Sequence, residues 1–303
     1  MRVGAHVPTR GGLLAAIGAA RERTAEAVQL FASNPRAWAP PRIDPAYAQD
    51  FRAAWREARM GPLFVHAPYL VNIGSPNPEF LRRSRELARA SMAAADEIGA
   101  AGLVVHAGAG GTGEADHARS RAAATLGRIL EESGDAALVV ELMAGSSGAV
   151  ASTFPQAAAL FSEVEGGERL RLCADTCHLF AAGYALDRPD GVRACFAELR
   201  RTGLAKRLVL VHGNDALFPS GSHRDRHANV GDGLIGPTGF AAILSDPAVR
   251  RASVVCETPG DTAQHRRDVE TLRELAAGPW VTSGRLRHND GPSSPTEMGG
   301  EPS

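Results

Sequence analysis

Six side chains that can bind a metal ion each close or follow a short apolar run, and they recur at intervals of roughly 35 to 45 residues. That interval is the length of one strand-plus-helix unit in a parallel α/β protein. The six side chains are His66, His106, Glu141, Asp175, His212 and Glu257. Polar residues at the carboxyl ends of buried parallel strands point into the mouth of a barrel. The pattern therefore predicts an α/β fold, a single (β/α)8 TIM barrel with its active site at the C-terminal ends of the strands.

Eight strand–helix repeats can be followed along the 303 residues. The predicted strands lie near 2–6, 27–31, 63–66, 102–106, 137–141, 170–175, 207–212 and 252–256. The predicted helices lie at about 12–22, 45–59, 78–99, 115–133, 153–164, 190–202, 237–246 and 262–276. We expect residues 1–278 to form the barrel domain. Residues 279–303 are rich in Gly, Pro, Ser and charge, and we expect them to form a disordered tail.

The composition restricts the partners and the compartment less than the motifs do. The net charge of −1 neither demands nor excludes an anionic partner, because a basic stripe can coexist with an acidic surface elsewhere. The four cysteines lie mostly in or beside apolar strands, which indicates buried thiols in a reducing compartment rather than disulfides. No apolar run approaches membrane-spanning length, and no targeting segment is visible. We expect a cytoplasmic monomer without membrane contact.

His66 and His106 end neighbouring predicted strands, the third and the fourth. A single histidine at such a position is more often a hydrogen-bonded structural residue than a ligand, but two on adjacent strands can meet one metal. Glu141 ends the fifth strand, and its two oxygens could bridge two metals. A salt-bridge partner at the barrel rim is the alternative interpretation for Glu141.

The segment Asp175-Thr176-Cys177-His178 ends the sixth strand and enters the next loop. Its aspartate and histidine could serve two neighbouring metals. The alternative is that Asp175 caps a helix N-terminus.

His212 ends the seventh strand, and a long connection without helical periodicity runs from Gly213 to Gly236. Connections of this length in a compact domain are usually functional or disordered. Asp225 and His227 lie two residues apart in it, so they face the same way in extended backbone. With His178 they predict a third metal site. Glu257 ends the eighth strand as a further ligand.

These motifs resemble those of endonuclease IV, also called deoxyribonuclease IV, over nearly the whole chain. The most specific segments are Asp175-Thr176-Cys177-His178, continuing to Tyr184, and Asp225-Arg226-His227, continuing to Gly236. The resemblance implies three zinc ions per chain. The first is held by His66, His106 and Glu141, the second by Glu141, Asp175, His212 and Glu257, and the third by His178, Asp225 and His227.

Two further segments resemble the DNA-reading loops of that family, Ser33–Trp38 after the second strand and Tyr69-Leu70 after the third. The resemblance implies that Arg36, Tyr69 and Leu70 enter the base stack and replace a displaced nucleotide. Without the resemblance, Arg36 could be a surface charge and the other two could be rim packing.

The chain departs from the family pattern beside the ligands. Leu142 and Met143 stand where more polar residues are usual, Ala107 stands where proline is common, and Ser146-Ser147-Gly148 replaces a Gln-Gly continuation. These departures remove no ligand. They bear on the groups around the bridged metal pair, and so on rate and metal preference.

The resemblance implies a zinc-dependent apurinic/apyrimidinic endonuclease of base excision repair. Such an enzyme hydrolyses the phosphodiester 5′ to an abasic site in damaged double-stranded DNA, leaving a 3′-hydroxyl and a 5′-deoxyribose phosphate, with Glu141 as the catalytic carboxylate. One alternative is a single-metal sugar isomerase or epimerase of the xylose-isomerase-like barrels. It would use only Glu141, Asp175, His212 and Glu257. A DNA-lesion binder without catalysis is a third possibility, which the complete ligand set disfavours.

Overall fold

Eight parallel strands close into a barrel in the computed structural model, which describes residues 1–278. The barrel strands are β1 (Arg2–His6), β2 (Ala27–Leu30), β3 (Leu63–His66), β4 (Gly102–His106), β5 (Ala137–Glu141), β6 (Arg171–Asp175), β7 (Leu208–His212) and β10 (Ser253–Cys256). Each strand pairs with its neighbour along the chain, except that β7 pairs with β10, and β1 closes the ring against β10. The predicted fold class and strands are confirmed. The predicted tail, residues 279–303, lies outside the described residues.

Helices cover the outside of the barrel. They are α1 (Leu13–Glu22), α2 (Pro45–Glu57), α3 (Pro78–Glu97), α4 (Ala115–Glu131), α5 (Phe154–Glu163), α6 (Thr176–Ala181), α7 (Pro189–Arg201), α8 (Gly236–Ser245), α9 (Pro247–Arg251) and α10 (Thr262–Ala277). Several begin with proline after a capping side chain, which suits a helix start because proline has no backbone N–H to satisfy. Thus the Asn77 side chain accepts a hydrogen bond from the backbone N–H of Phe80 at 3.0 Å. No helix among residues 1–278 is long and apolar enough to cross a membrane.

Two features of the carboxyl-end loops were not predicted. The helix α6 follows β6 directly, and all six of its residues are buried, so its sequence shows no alternation between an apolar and a polar face. The connection after β7 contains a two-stranded antiparallel hairpin of β8 (Asp215–Ala216) and β9 (His227–Ala228). Both features bring loop residues back over the barrel mouth.

The core has two layers. A large apolar cluster fills the space between the strands and the helices. A small cluster fills the inside of the barrel and consists of Ala27, Phe64, Val104, Val139, Cys173, Leu210 and Val255. The barrel is therefore filled below its mouth, and a substrate can approach only from the ends of the strands.

Gly4 occupies the inner position on β1, where the barrel leaves no room for a side chain. A Cβ placed there would lie 1.6 Å from the carbonyl oxygen of Ala27 on β2. We predict that Gly4→Ala lowers the free energy of unfolding by about 1–3 kcal/mol, because the strands must move apart to admit the methyl group. Chemical denaturation would measure the change.

Gly18 in α1 provides the matched control, because a Cβ there meets no atom within 4 Å. Gly18→Ala should raise stability by about 0.5–1 kcal/mol, as alanine favours helix. Equal effects of the two substitutions would contradict the close approach of β1 and β2.

Candidate metal centre

The pleat of the strands places the polar side chains of the barrel mouth. Side chains two apart on a strand face the same side, so the residue two positions after each member of the inner apolar cluster also points inward. Those residues are Gln29, His66, His106, Glu141, Asp175, His212 and Glu257, and His6 follows Gly4 in the same way. One layer of apolar side chains therefore supports one layer of polar side chains.

The first group of donors comprises His66, His106 and Glu141. The Nε2 atoms of His66 and His106 lie 3.1 and 3.4 Å from Oε2 of Glu141. The Nδ1–H of His66 donates to the carbonyl oxygen of Ala67 at 2.6 Å, which directs Nε2 toward the glutamate. The structure thus brings the three side chains together as predicted.

The second group shares Glu141 with the first and adds Asp175, His212 and Glu257. Nδ1 of His212 lies 3.1 Å from Oε1 of Glu141, 3.2 Å from Oε2 of Glu257 and 3.8 Å from Oδ2 of Asp175. Glu141 therefore directs one oxygen to each group. This is the geometry that a carboxylate bridging two cations requires.

The third group comprises His178, Asp225 and His227. Nε2 of His178 and Nε2 of His227 each lie 3.2 Å from an oxygen of Asp225. The Nδ1–H groups of the two histidines donate to the carbonyl oxygens of Leu142 and Glu257, at 2.8 and 3.1 Å. All nine predicted ligand positions therefore lie at one barrel mouth.

Asp175 has two roles. It caps a helix, and it faces other donors of the site, so the structure is consistent with both interpretations of its position in the sequence. Its Oδ1 accepts the backbone N–H of His178 at 3.1 Å and so caps α6. Its Oδ2 accepts a hydrogen bond from the side-chain amide of Asn214 at 2.7 Å and lies 3.5 Å from Nε2 of His227. The cap fixes the start of α6, and α6 carries His178 over the mouth.

The loop that carries Asp225 and His227 is held by a buried carboxylate that sequence reasoning missed. Asp215 is fully buried, and its oxygens accept the backbone N–H groups of Gly231, Gly233 and Ile235 at 2.9–3.1 Å. Asp268 holds the same loop at Asn229 and Val230. Gly231-Asp232-Gly233 thus forms a turn around the Asp215 carboxylate, and the only sequence signal for this contact was the position of Asp215 shortly after β7.

Clustering of acids and histidines shifts their pKa values. Burial opposes charge on Glu141, but the adjacent His212 and His106 hold the pKa of that carboxyl well below its usual range. Burial likewise opposes charge on His178, yet Asp175, Asp225 and Glu141 raise its pKa well above the ordinary value. Carboxylates raise the pKa of His227 to about 9 against the same effect of burial.

The donor set fits divalent metal ions. Imidazole nitrogens and carboxylate oxygens are the ligands that zinc takes from proteins. Nε2 of His227 is buried and makes no hydrogen bond with any residue in 1–278, although it faces Asp225 and Asp175. A buried polar nitrogen without a partner is costly unless a cation or water meets it.

Two cysteines also approach the donors. Cys173 lies near Glu141 and His212, and Cys177 lies near Asp175 and His227. Burial raises the pKa of the Cys173 thiol to about 12 and moves that of Cys177 in the same direction. Both therefore remain thiols near neutral pH and compete poorly for a metal, since the thiolate is the ligand.

The predicted DNA-reading residues lie on two adjoining loops at the rim. Arg36 is exposed, the side chain of Tyr69 is 59% exposed, and Leu70 is partly exposed. The backbone N–H of Tyr69 donates to the carbonyl oxygen of Pro35 at 3.0 Å, which joins the loops. The Phe31 ring contacts both Tyr69 and His66, at centroid distances of 5.1 and 5.5 Å. The rim loops thus contact the donor groups directly.

Two of the departures beside the ligands make contacts that can be described. The side chain of Leu142 is buried in the outer core, and only its carbonyl oxygen serves the site, through His178. Ser147 donates to the hydroxyl of Thr112 at 3.3 Å and links the loops after β4 and β5.

Comparisons with known proteins show which proteins the chain resembles. A family model described as a xylose isomerase-like TIM barrel matches residues 17–275. Probable endonuclease 4 of Streptomyces avermitilis is 40% identical over 281 residues, covering 91% of this chain and 90% of the relative. Probable endonuclease 4 of Methanoculleus marisnigri is 36% identical, covering 90% and 98%.

Solved structures add a second comparison. Endonuclease IV from Thermus thermophilus superposes with a TM-score of 0.82 at 29% identity, covering 91% of this chain and 99% of that chain. D-Psicose 3-epimerase from Clostridium cellulolyticum superposes with a TM-score of 0.65 at 12% identity, covering 91% and 98%, and shares the fold alone.

We predict that metal-free protein takes up about three equivalents of zinc, one per donor group, and releases protons as it does so. The pKa of His227, raised to about 9 by neighbouring carboxylates, leaves its ring protonated at pH 7.5, and a ligand must lose that proton. The pKa values of His178 and His212 are raised in the same direction. Proton release should therefore decline as the pH rises past about 9, the pKa of His227. Calorimetry in buffers of different ionisation enthalpy would measure it.

His227→Ala removes one ligand of the third group and serves as the comparison. It should reduce the stoichiometry to about two equivalents and lower the number of protons released. A single tightly bound ion in the unaltered protein would contradict the prediction and favour the isomerase alternative.

Proposed function

The chain belongs to the endonuclease IV family, and from that premise we propose that it hydrolyses the phosphodiester 5′ to an abasic site in double-stranded DNA. The broader assignment, an endonuclease of DNA repair, follows from the family. The proposal includes three zinc ions per chain, products with a 3′-hydroxyl and a 5′-deoxyribose phosphate, and a cytoplasmic monomer. One chain alone supplies all nine donors, which supports the monomer.

The sharing of Glu141 between two donor groups is the observation that carries this proposal. Two cations held by one carboxylate would lie close together, as in two-metal sites that act on phosphate esters. The third group adjoins the second through Asp175 and His227, 3.5 Å apart. A phosphate at the mouth would therefore contact all three groups.

Charge at the mouth supports an anionic substrate even though the whole chain carries a formal net charge of −1. The donor groups include four carboxylates, and three divalent cations would leave a local charge of about +2. A positive site in a concave mouth attracts a phosphodiester, whereas the rest of the surface need not.

The proposed zinc ligands are the nine donors in their three groups. When bound, zinc would supply positive charge that promotes the ionisation of water and stabilises the anionic transition state. The chain's own residues orient the site. Carbonyl oxygens hold the Nδ1–H groups of His66, His178 and His227, so that each ring keeps Nε2 directed inward.

The rim residues would bind and distort the duplex. Arg36 offers a cation to the phosphate backbone. Tyr69 and Leu70 offer an aromatic and an aliphatic side chain that can occupy the space of a displaced nucleotide. Phe31 contacts both Tyr69 and His66, which supports insertion of these side chains beside the first donor group.

Other chemistries are less well supported. A one-metal isomerase would leave five inward-facing donors unused: His66, His106, His178, Asp225 and His227. A Schiff-base lyase needs an amine, and Lys206 is the only lysine in the chain. It is exposed in the short turn before β7, at the end of the barrel opposite the site. A lesion binder without catalysis would not need a complete set of metal ligands.

Cleavage of a duplex with one abasic site tests the proposal, with Glu141→Gln as the variant. We predict that the unaltered protein yields a 3′ end that a polymerase can extend. Glu141→Gln should lower kcat by at least about 100-fold while abasic DNA still binds, because the amide weakens a bridging ligand. Normal turnover in the variant would exclude Glu141 as the bridge, and no cleavage by unaltered, metal-loaded protein would overturn the function.

The Tyr69→Ala, Leu70→Ala double variant tests the rim. We predict affinity for abasic duplex about tenfold weaker or more, because inserted side chains offset an unstacking cost of a few kcal/mol. Zinc content should not change. Fluorescence anisotropy would measure the binding, and equal affinity in the variant would contradict the assigned role.

In the same assay, Arg36→Ala should make the slope of the logarithm of the binding constant against the logarithm of the salt concentration less steep by about 0.9, if Arg36 neutralises one phosphate. Arg201→Ala is the control, because Arg201 is exposed at the C-terminal end of α7, on the opposite end of the barrel. The control should leave the slope unchanged.

A further inference from the structure

Gln29 lies among the donors but is not one of the nine predicted ligands. It sits on β2, one position before Leu30, and faces the barrel mouth in the same layer as His66. Its side chain is fully buried. A buried amide must satisfy both its N–H donors and its oxygen, so its contacts reveal what it fixes in place.

The amide of Gln29 contacts two donors of the second group at once. Its Nε2 lies 2.5 Å from Oε1 of Glu257, and its Oε1 lies 2.9 Å from Nε2 of His212. A carboxylate only accepts hydrogen bonds, so the NH2 end must face Glu257. The oxygen end must then face His212 and accept a hydrogen bond from its Nε2–H.

His6 belongs to the same network. Its Nδ1 lies 3.1 Å from Nε2 of Gln29 and 3.2 Å from Oε1 of Glu257. In the reverse orientation of the amide, the oxygens of Gln29 and Glu257 would lie 2.5 Å apart and repel each other. This repulsion determines the orientation of the amide.

This orientation selects one tautomer of His212. In the neutral ring, Nε2 carries the proton and donates it in a hydrogen bond to Gln29, so the lone pair lies on Nδ1. That nitrogen is the one that lies 3.1 Å from Glu141 and 3.2 Å from Glu257. His212 is therefore the reverse of His66, His178 and His227, which keep the proton on Nδ1 and direct Nε2 inward.

We propose that Gln29 is a positioning residue for the second donor group: it sets the His212 tautomer and the orientation of Glu257, and thereby the metal affinity of that group. The inference rests on the proposed metal centre, but not on the substrate. Groups that orient metal ligands from outside typically change affinity by about 10–100-fold.

Zinc competition against a chelating indicator tests the proposal on the full chain. Gln29→Met fills a similar volume without a donor or an acceptor. It should weaken one of the three equivalents by about 10–100-fold and leave the other two near their original affinity. Gln156→Met is the matched control, because within residues 1–278 Gln156 bonds only in the cap of α5, so the substitution should not change any equivalent. A curve for Gln29→Met that matches the unaltered protein, or equal weakening of all three, would overturn the proposal.

Nitrogen-15 NMR of the histidine rings gives a second readout that does not depend on a variant folding. In the zinc-loaded, unaltered protein the His212 ring should carry its one proton on Nε2. Gln29→Glu should keep that tautomer while weakening zinc binding, because its carboxylate still accepts a hydrogen bond from His212 but repels Glu257. A His212 proton on Nδ1 in the unaltered protein would refute the proposal. Neither readout uses DNA, so failure to cleave abasic duplex would overturn the proposed function alone.

Discussion

Burial of the Glu141 carboxylate at the centre of the barrel mouth is the constraint on which the rest of the site depends. A buried anion is unfavourable unless cations or hydrogen-bond donors surround it. Histidines on the neighbouring strands β4 and β3, on β7 across the mouth and on α6 surround this one. The rings of His66, His178 and His212 are each held by a further hydrogen bond to a residue other than Glu141, so the carboxylate is the fixed point around which the donor groups are arranged.

The three donor groups differ in how rigidly the fold holds them. The first and second groups stand at the ends of hydrogen-bonded strands, where the pleat fixes the direction of each side chain. The third depends on α6 and on the hairpin loop. In the part of the chain that the structure describes, that loop has no strand neighbours beyond its own two-residue pairing, and it is organised by Asp215 and Asp268. Two buried carboxylates thus hold in place a loop that backbone pairing alone would leave loosely attached.

The periodicity of the sequence predicted every barrel strand and the six proposed ligands that end or follow a strand, because both follow from local rules for strand length and side-chain direction. The other three, His178, Asp225 and His227, came from the spacing of loop motifs and from the family resemblance. Three features needed the folded chain. The helix α6 is buried on all sides and shows no amphipathic pattern. Gln29 has no charge and is not a usual metal ligand, so no sequence motif marks it. Its side chain nevertheless lies in the same inward-facing layer as that of His66. The tautomer of His212 depends on an amide 183 residues away in the chain.

The position of Lys206 has a practical consequence. It is the only lysine, it is exposed, and it lies beyond the amino ends of the strands, with Met1 one residue before β1 at the same end of the barrel. Amine-reactive linkers would therefore attach the molecule to a surface by its far end. Molecules immobilised in this way would share a common orientation, with the open face directed away from the support.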